Sequence, residues 1–410
     1  MASNNNKDKC NVPHLRFPEF TGEWKKSTIG SLSTKVGSGV TPRGGETVYK
    51  SEGHSFVRSQ NVGWGHLQLD DIAFIDKETH LRQKNTELQL DDVLLNITGA
   101  SIGRSALVNK QIAGGNVNQH VCIIRTKDNL VPAFLCNFLL SNHGQKQIDS
   151  FQAGGNRQGL NFEQIRSIKI TIPSTKEQTK IATLLHLIDE RIATQNKIID
   201  KLQSLIKGLN DHILKNIEGD QVCFADLGEA YGGLSGKSGD DFGCGDPFIT
   251  YMNVYQNTYI SENDYELVQI VPDEKQNSVQ YGDALFTLSS ETPEEVGMGA
   301  VYLGKSQKLY LNSFCFGVHF HGNRVLPQYI AHFISSTSFR KAIYPLAQGS
   351  TRFNLQKQDF MRMKFVLPSL EEQERIATAL DALHNHLANE KLLTEQYLLL
   401  KQFLLQQMFI

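Results

Sequence analysis

Two ten-residue stretches decide the fold: Pro173-Ser-Thr-Lys-Glu-Gln-Thr-Lys-Ile-Ala182 and Pro368-Ser-Leu-Glu-Glu-Gln-Glu-Arg-Ile-Ala377. They lie 195 residues apart and match at the proline, serine, glutamate, glutamine, isoleucine and alanine. In each stretch, Ser-x-x-Glu is a capping box, which predicts the start of a helix. The glycine-rich segments Gly154–Leu160 and Gly349–Leu355 match in the same register. The chain therefore consists of two copies of one unit.

Each copy predicts the same order of elements. Phe56–Val62 matches Phe248–Val254 once small gaps are allowed. Short apolar runs at Val93–Ile97 and Val121–Ile124 predict strands, and Pro132–Leu140 predicts a short helix. A strand ending in proline then precedes each capping box. We expect an α/β (α+β) fold with two similar globular domains.

The capping boxes open two long helices with apolar residues at steps of three and four, which is the coiled-coil pattern. The first stripe contains Leu185, Ile188, Ile192, Gln195, Ile199, Leu202, Ile206, Leu209 and Ile213. The second contains Ile376, Leu380, Leu383 and Leu387, and we expect it to slip phase through Leu393, Tyr397, Leu400 and Leu404. Antiparallel packing would let each helix cover the stripe of the other, with a pseudo-twofold axis. The alternative is that each is a core helix of its own domain.

These patterns divide the chain into five segments. They are an N-terminal tail (1–17), a first globular domain (18–173), a central helix (174–219), a second globular domain (220–368) and a C-terminal helix (369–410).

The composition is that of a folded globular protein and excludes some classes. The chain has 410 residues, 40% of them hydrophobic, and a net charge of -2. No apolar run is long enough to span a bilayer, and the N-terminal residues do not resemble a signal peptide. Six cysteines without a CxxC pair indicate a reducing, cytoplasmic environment. Residues 220–300 carry 15 acidic and 2 basic side chains, whereas residues 301–369 carry 1 and 9. A polyanion would therefore be attracted to part of the second copy only.

No catalytic motif is complete. Tyr231–Ser238 resembles a phosphate-binding loop but has tyrosine where the first glycine belongs, and GxSxG is absent. His319 and His321 share a strand face without a third metal ligand nearby. We therefore expect a binding or scaffold protein with no catalytic residue, metal or cofactor of its own.

Two similar domains held apart by rigid helices suit duplex DNA, whose backbone has local twofold symmetry. Arginine and amide side chains on loops are the groups that read guanine and adenine edges. The candidates are Arg43, Arg58, Gln60, Asn61, Asn116, Asn118, Gln119, Asn156, Arg157 and Gln158 in the first copy, and Lys237, Asn253, Gln256, Asn312, Arg352 and Asn354 in the second. Arg157 and Arg352 are the strongest pair, because they occupy one position in both copies. For any single residue, a solvated loop side chain is the plainer interpretation.

With these features, the sequence resembles the specificity subunits of type I restriction–modification enzymes. The resemblance runs from Pro18 to the C-terminus and rests on the two glycine-rich loops, each followed by Pro-Ser-x-x-Glu-Gln-x-x-Ile-Ala and a long helix. It implies a prokaryotic, DNA-associated subunit that binds a bipartite, asymmetric DNA site and has no catalytic centre.

The resemblance also implies partners. These are two DNA adenine methyltransferase subunits, which dock on the helices, and two ATP-driven translocase–nuclease subunits. S-adenosylmethionine, ATP and magnesium would be used by the partners and not by this chain. A nuclease with an unrecognised site and a protein-only coiled-coil scaffold are the alternatives.

Overall fold

The computed structural model describes residues 11–42, 44–152, 159–306 and 308–410. Two units are distinguished by their internal contacts. Unit 1 contains the described residues up to Gln195 together with Leu393–Ile410, and unit 2 contains Asn196–Leu392. Each long helix therefore contributes residues to both units.

Unit 1 alternates short strands and helices before its long helix. Its strands are Lys25–Thr28 (β1), Ser33–Ser38 (β2), His54–Val57 (β3), Ala73–Ile75 (β4), Val93–Asn96 (β5), Ser105–Leu107 (β6), Asn116–Val117 (β7), Val121–Thr126 (β8) and Lys169–Ile172 (β9). Its helices are Lys77–Arg82 (α1), Pro132–Leu140 (α2), Asn142–Ser150 (α3), Phe162–Ser167 (α4) and Thr175–Lys215 (α5), the last of which continues into unit 2.

The strands of unit 1 form two main sheets. One is antiparallel with the order β2-β8-β5-β6. The other has the order β4-β3-β7, in which β3 and β7 run parallel. Along β5, Val93 and Leu95 face the core that contains α2, whereas Leu94 faces a second core. Both faces of this strand are buried, which explains why its sequence is a continuous apolar run and not an alternating one.

Unit 2 repeats this order. Its strands are Asp220–Cys223 (β10), Gly228–Gly232 (β11), Phe242–Ile249 (β12), Tyr265–Val268 (β13), Ala284–Thr287 (β14), Ser289–Ser290 (β15), Gly299–Val301 (β16), Tyr310–Leu311 (β17), Cys315–Phe320 (β18), Ala347–Gln348 (β19), Phe353–Leu355 (β20) and Lys364–Leu367 (β21). Its helices are Tyr251–Gln256 (α6), Pro327–Ile334 (α7), Thr337–Ile343 (α8), Lys357–Met361 (α9) and Leu370–Gln407 (α10), the last of which continues into unit 1.

The sheets of unit 2 have the same topology as those of unit 1. The order β11-β18-β14-β16 reproduces β2-β8-β5-β6, and β13-β12-β17 reproduces β4-β3-β7 with its parallel pair. Val93 pairs with Ile124 in unit 1, and Ala284 pairs with Val318 in unit 2. A further sheet, β15-β20-β19, lies beside the glycine-rich loop of unit 2. The duplication and the α+β fold predicted from the sequence are therefore confirmed.

The glutamine of the repeated ten-residue motif has the same structural role in both units. The Gln178 amide accepts a hydrogen bond from the Val131 backbone N–H (2.8 Å) and donates to the carbonyl oxygens of Asn129 (3.1 Å) and Pro173 (3.0 Å). Its side chain is completely buried. It joins the start of α5 to the residue before α2, which fixes where the long helix leaves the domain.

In unit 2, Gln373 makes the equivalent three hydrogen bonds. They run from the Leu326 backbone N–H (2.8 Å) and to the carbonyl oxygens of Arg324 (2.9 Å) and Pro368 (2.9 Å). Gln373 is also completely buried. The glutamine therefore recurs because one buried backbone junction recurs.

The capping boxes form only in part. Ser174 and Ser369 accept hydrogen bonds from the backbone N–H three residues later, at 3.4 and 3.3 Å. The expected return bond from glutamate to the cap does not form. The Glu177 carboxylate instead makes two hydrogen bonds with the Arg16 guanidinium, at 2.7 and 2.8 Å, and Glu372 pairs with Arg375. An arginine offers each carboxylate a charged donor, which is stronger than a neutral N–H.

The two long helices pack against each other within each unit. In unit 1, Lys401 of α10 forms an ion pair with Asp189 of α5 (2.6 Å), and Leu404 lies in the same core as Leu185. In unit 2, Leu209 of α5 packs on the core that contains Leu380 of α10. The early part of α5 thus meets the late part of α10, and the reverse holds in unit 2, so the helices run antiparallel as predicted.

The expected phase slip in α10 is wrong. After Leu387, the stripe of buried or half-buried positions Glu390, Thr394, Tyr397, Lys401, Leu404 and Met408 continues the alternation of three and four, and Leu405 and Gln407 at the end of the helix are half-buried as well. Leu393 and Leu400 are 36% and 42% exposed. Polar side chains occupy inner positions because partners are present, as Asp189 is for Lys401. The positions of the apolar residues alone therefore do not predict which side of this helix is buried.

A buried histidine links the globular part of unit 2 to the long helices. His332 of α7 is 1% exposed, and its Nε2 lies 2.7 Å from Oδ1 of Asp381 on α10. The Tyr259 hydroxyl donates to the same oxygen (2.6 Å), and Asn210 of α5 donates to the carbonyl oxygen of His332 (3.1 Å). Burial lowers the pKa of His332 more than Asp381 raises it. This histidine therefore favours the neutral form in the folded unit.

Candidate nucleic-acid interface

Three equivalent segments carry most of the candidate residues in each repeat, and Arg43 and Lys237 lie outside them. These segments are the loop after the central strand of the smaller sheet, the turn before β8 or β18, and the glycine-rich loop. In unit 2 these segments meet around one cavity, which is lined by Tyr251, Phe314 and Arg352, among others. The local structure of each segment determines which side chains are free to contact a ligand.

Asn61 and Asn253 occupy one position in the two copies, and both are almost completely buried. The Asn61 Oδ1 accepts a hydrogen bond from the Arg58 backbone N–H (2.9 Å), and its Nδ2 donates to Asp71 Oδ1 (2.8 Å). The Asn253 amide likewise bonds both the N–H (3.0 Å) and the carbonyl oxygen (2.8 Å) of Ser261. Both side chains hold their loops in shape, so we leave them out of the interface.

Asn118 and Asn312 also occupy equivalent positions and make the same turn. Their Oδ1 atoms accept hydrogen bonds from the backbone N–H groups of His120 (3.1 Å) and Phe314 (2.9 Å). Asn118 is 7% exposed. Each asparagine therefore fixes a turn that presents the residue two positions later, and that residue differs between the copies.

Two further candidates are occupied within their own units. Asn116 is fully buried, with its Oδ1 2.8 Å from His80 Nδ1 and its Nδ2 donating to the Gln83 carbonyl oxygen (3.0 Å). The Lys237 ammonium pairs with Glu274 at 2.5 Å, and its side chain is only 7% exposed. Neither has a polar group left for a nucleic acid.

The remaining described candidates are accessible to different degrees. Exposed side chains are Gln60, Gln119, Gln256, Arg352 and Asn354. Arg58 and Asn312 are half-buried, and Arg58 bonds the carbonyl oxygen of Asp71 (2.7 Å) while lying over the Tyr49 ring. The other candidates, Arg43, Asn156, Arg157 and Gln158, lie outside the described residues.

The glycine-rich loop of unit 2 forms a tight turn that presents Arg352. Gly349 has a φ of +140°, a region that L side chains rarely adopt, and a Cβ there would lie 2.1 Å from the Arg352 carbonyl oxygen. The following strand β20 pairs with β15, so that Ser290 lies opposite Phe353. The Arg352 guanidinium makes no hydrogen bond or ion pair with any described residue. It is therefore presented to solvent by a rigid turn.

Beside Arg352 lies a cavity of about 360 Å³ with aromatic walls. The rings of Tyr251 and Tyr255 are nearly parallel, with centroids 6.0 Å apart. Met252 and Phe314 line the same cavity and are 51% and 55% exposed. Large apolar side chains this exposed at a concave site indicate contact with a ligand or a partner.

Carboxylates surround this cavity as well. The Tyr255 hydroxyl donates to Glu295 Oε1 (2.7 Å), and this hydrogen bond is the main reason that the pKa of Glu295 lies below its ordinary value. Ser290 donates to the other oxygen (3.2 Å). Glu291 is exposed and also lines the cavity. The site thus presents one cationic donor together with anionic acceptors.

In unit 1, the equivalent positions carry different side chains. Gln60 stands at the position of Met252, and His120 at that of Phe314. His120 is half-buried, and its Nδ1 lies 2.6 Å from Thr98 Oγ1. His120, Met252 and Phe314 are not among the residues predicted from the sequence, because the prediction rested on arginine, lysine and amide side chains that donate to bases. A comparison of the two copies within the fixed turns would have identified them.

Two structural absences apply to the described part of the chain. No group of three or more histidine, cysteine, aspartate or glutamate side chains there is arranged to hold a metal ion. None of the helices in that part is both long and apolar enough to cross a membrane.

Comparison with known proteins gives one consistent family. The model of the type I restriction modification DNA specificity domain matches residues 21–204 and again residues 235–396. The two matches cover most of both repeats.

Individual relatives agree with this match. The chain is 22% identical over 396 residues to the type I restriction enzyme EcoKI specificity subunit of Escherichia coli strain K12, over 88% of this chain and 82% of that one. It is 20% identical over 402 residues to the putative type I restriction enzyme MjaX specificity subunit of Methanocaldococcus jannaschii, over 91% and 89%. The crystal structure of the type I restriction–modification S subunit from M. genitalium has a similar fold, with a TM-score of 0.57 at 14% identity over 97% of this chain and 99% of that one.

Proposed function

Because the chain belongs to the family of type I restriction modification DNA specificity domains, we propose that it is the DNA-reading subunit of a type I restriction–modification complex. Each unit reads one half of a bipartite, asymmetric DNA site. The observation that supports this proposal is that the two units have the same sheet topology but expose different side chains at equivalent loop positions. Family membership also favours this function over the nuclease and the scaffold that the sequence left open.

The asymmetry of the site follows from the differences between the units. Asn118 and Asn312 fix the same turn, but the turn presents His120 in unit 1 and Phe314 in unit 2. A histidine ring can exchange hydrogen bonds with a base edge, whereas a phenylalanine ring contacts apolar groups such as the thymine methyl. Two units with the same backbone and different tips read different bases.

The proposed interface uses the described candidates that are exposed or half-buried, together with His120 and Phe314. In unit 1 these are Gln60, Gln119 and His120, with Arg58 at the edge. In unit 2 they are Gln256, Asn312, Phe314, Arg352 and Asn354. The candidates outside the described residues, Arg157 above all, remain predictions.

The chemistry resides in partner subunits. We propose that two adenine methyltransferase subunits use S-adenosylmethionine and that two translocase–nuclease subunits use ATP and magnesium, all on DNA in the cytoplasm. This chain contributes no reacting group and positions the partners on their site. The purified chain alone should therefore transfer no methyl group, cleave no DNA and hydrolyse no ATP.

The C-terminal part of α10 offers a docking face for the methyltransferase. Leu398, Leu399, Leu400 and Phe403 are 48%, 58%, 42% and 52% exposed. Leu399 and Phe403 are four residues apart and therefore lie on the same face of the helix. Exposed apolar patches of this kind mark protein–protein contacts.

The double variant Leu399→Glu, Phe403→Glu tests this docking face. Neither side chain is part of a core, so the variant should keep its far-ultraviolet circular dichroism and its melting temperature. It should no longer elute with the methyltransferase in gel filtration. The double variant Gln89→Glu, Gln111→Glu, which adds the same two negative charges at exposed positions of unit 1, is the control. Co-elution of the double variant with the methyltransferase would place the docking face elsewhere.

Mapping N6-methyladenine tests the main proposal. The chain is expressed with its methyltransferase in a host that lacks adenine methylation, and the genome is sequenced for modified bases. We expect one motif with two separated, unlike halves. Gln119→Ala should relax the half read by unit 1 and leave the other half unchanged. Methylation that is the same with and without this chain would refute the proposal.

A further inference from the structure

We infer that the cavity of unit 2 reads a single G·C base pair through its major-groove edge, with Arg352 bonding the guanine and Glu291 bonding the cytosine. This inference rests on the proposed function and specifies the base pair. It uses the free guanidinium, the free carboxylate, and the cavity that both of them line.

The hydrogen-bonding groups of Arg352 and Glu291 match those of a G·C base pair. In the major groove, guanine presents two acceptors, N7 and O6, which an arginine can bond in a bidentate manner. The paired cytosine presents a donor, its N4 amino group, which a glutamate can accept. Arg352 and Glu291 are both exposed, and no ion pair joins them. The cavity therefore offers two donors from Arg352 and one acceptor from Glu291, which is the pattern that a G·C pair requires.

The carboxylates that line the cavity disfavour the phosphate backbone as its occupant. Glu295 also lines the cavity, and its hydrogen bond with Tyr255 keeps its pKa low, so it carries a negative charge at neutral pH. Residues 220–300 carry 15 acidic and 2 basic side chains. The carboxylates of Glu291 and Glu295 would repel a negatively charged phosphate that approached Arg352, whereas the edge of a base carries no net charge and would not be repelled. The cavity thus selects a base over a phosphate.

Base discrimination needs side chains that are held in place, and the backbone on both sides of the cavity is fixed. The turn at Gly349 holds the Arg352 backbone, and the pairing of β15 with β20 holds Ser290, the neighbour of Glu291, beside it. Exposed Phe314 and Met252 border the site with apolar surface. These side chains exclude water from the base edge. A wrong base would therefore leave buried polar groups without a hydrogen-bond partner, which lowers the affinity for that base.

The experiment compares methylation motifs and binding for matched variants of the complex with the methyltransferase. Arg352→Ala and Arg352→Lys are compared with Arg362→Ala, which removes an exposed arginine elsewhere in unit 2. Glu291→Ala is compared with Glu294→Ala, which removes an exposed carboxylate three residues away. Binding is measured on duplexes in which one base pair of the unit 2 half-site is replaced at a time.

We expect Arg352→Ala and Arg352→Lys to lose discrimination at one guanine by about 5- to 150-fold, since a lysine cannot form the bidentate contact. Glu291→Ala should relax preference at the same base pair, and both controls should keep the wild-type motif. The inference is wrong if Arg352→Lys keeps full discrimination, because a phosphate contact needs only the charge. It is also wrong if the Arg352 variants lose binding equally on all duplexes, or if they lose the methyltransferase, which would make the cavity a protein contact.

Failure of this inference differs from failure of the proposed function. An unchanged two-part motif in both Arg352 variants refutes the reading of a G·C pair and leaves the DNA-reading function intact. The absence of any motif with the wild-type chain refutes both.

Discussion

Replacing Gln373 by leucine tests whether the repeated motif is a structural junction and not a binding site. The buried amide makes three hydrogen bonds, with Leu326, Arg324 and Pro368. Leucine has a similar size and can make none of them. At about 1 kcal/mol for each net hydrogen bond, the variant should lose about 3 kcal/mol of unfolding free energy. That is a large part of the stability of a typical domain.

Two measurements on the full-length protein check this value. Urea unfolding gives the free energy, and hydrogen exchange reports on the Leu326 amide, which donates to Gln373 in the wild type. Exchange at Leu326 should become faster, while amides in unit 1 stay unchanged. Gln358→Leu, at an exposed position of α9, is the control. A loss below about 1 kcal/mol together with unchanged exchange at Leu326 would refute the junction.

Three further predictions follow from single features. Burial lowers the pKa of His332 below its ordinary 6.5, so protonation of this histidine favours the unfolded chain. The urea midpoint should therefore fall as the pH drops below about 6.5, and it should fall less in His332→Gln. Asp92→Asn should lower the free energy of unfolding by about 2 kcal/mol in thermal unfolding, because it breaks the paired contact in which Arg125 donates to both carboxylate oxygens at 2.7 Å. The loss is smaller than for a fully buried pair, because the Arg125 side chain is 25% exposed. Gly349→Ala should displace the Arg352 carbonyl and weaken recognition of the unit 2 half-site alone in methylation mapping.

The architecture was predictable from the sequence because it depends on regularities that repeat. The shared motif, the capping serines and the spacing from Leu185 to Ile213 are local signals, and the structure confirms the elements they predict. The second half of α10 was not predictable in this way. Lys401 packs inward only because Asp189 lies opposite, and that contact is far away in the sequence.

The candidate binding residues were harder to predict, because one residue type can serve two roles. Asparagine is suited both to reading bases and to fixing loops, and sequence alone does not distinguish the two roles. Asn61 and Asn253 recur because both fix a loop, so recurrence pointed to structure and not to DNA. We propose that side chains that differ between the copies, such as His120 and Phe314, distinguish one half-site from the other. The duplicated sequence was thus most informative where its two copies disagree.

The sharing of α10 between the units sets an order for folding during synthesis. The core of unit 1 includes Leu404, Met408 and Phe409, and the Phe409 ring packs 5.0 Å from that of Phe134. These residues leave the ribosome long after the rest of unit 1, whereas all of unit 2 lies earlier, between Asn196 and Leu392. The usual order in which the N-terminal domain folds first is therefore reversed. The first unit to be translated is the last to be completed, and until then it exposes the apolar groove that Phe409 fills.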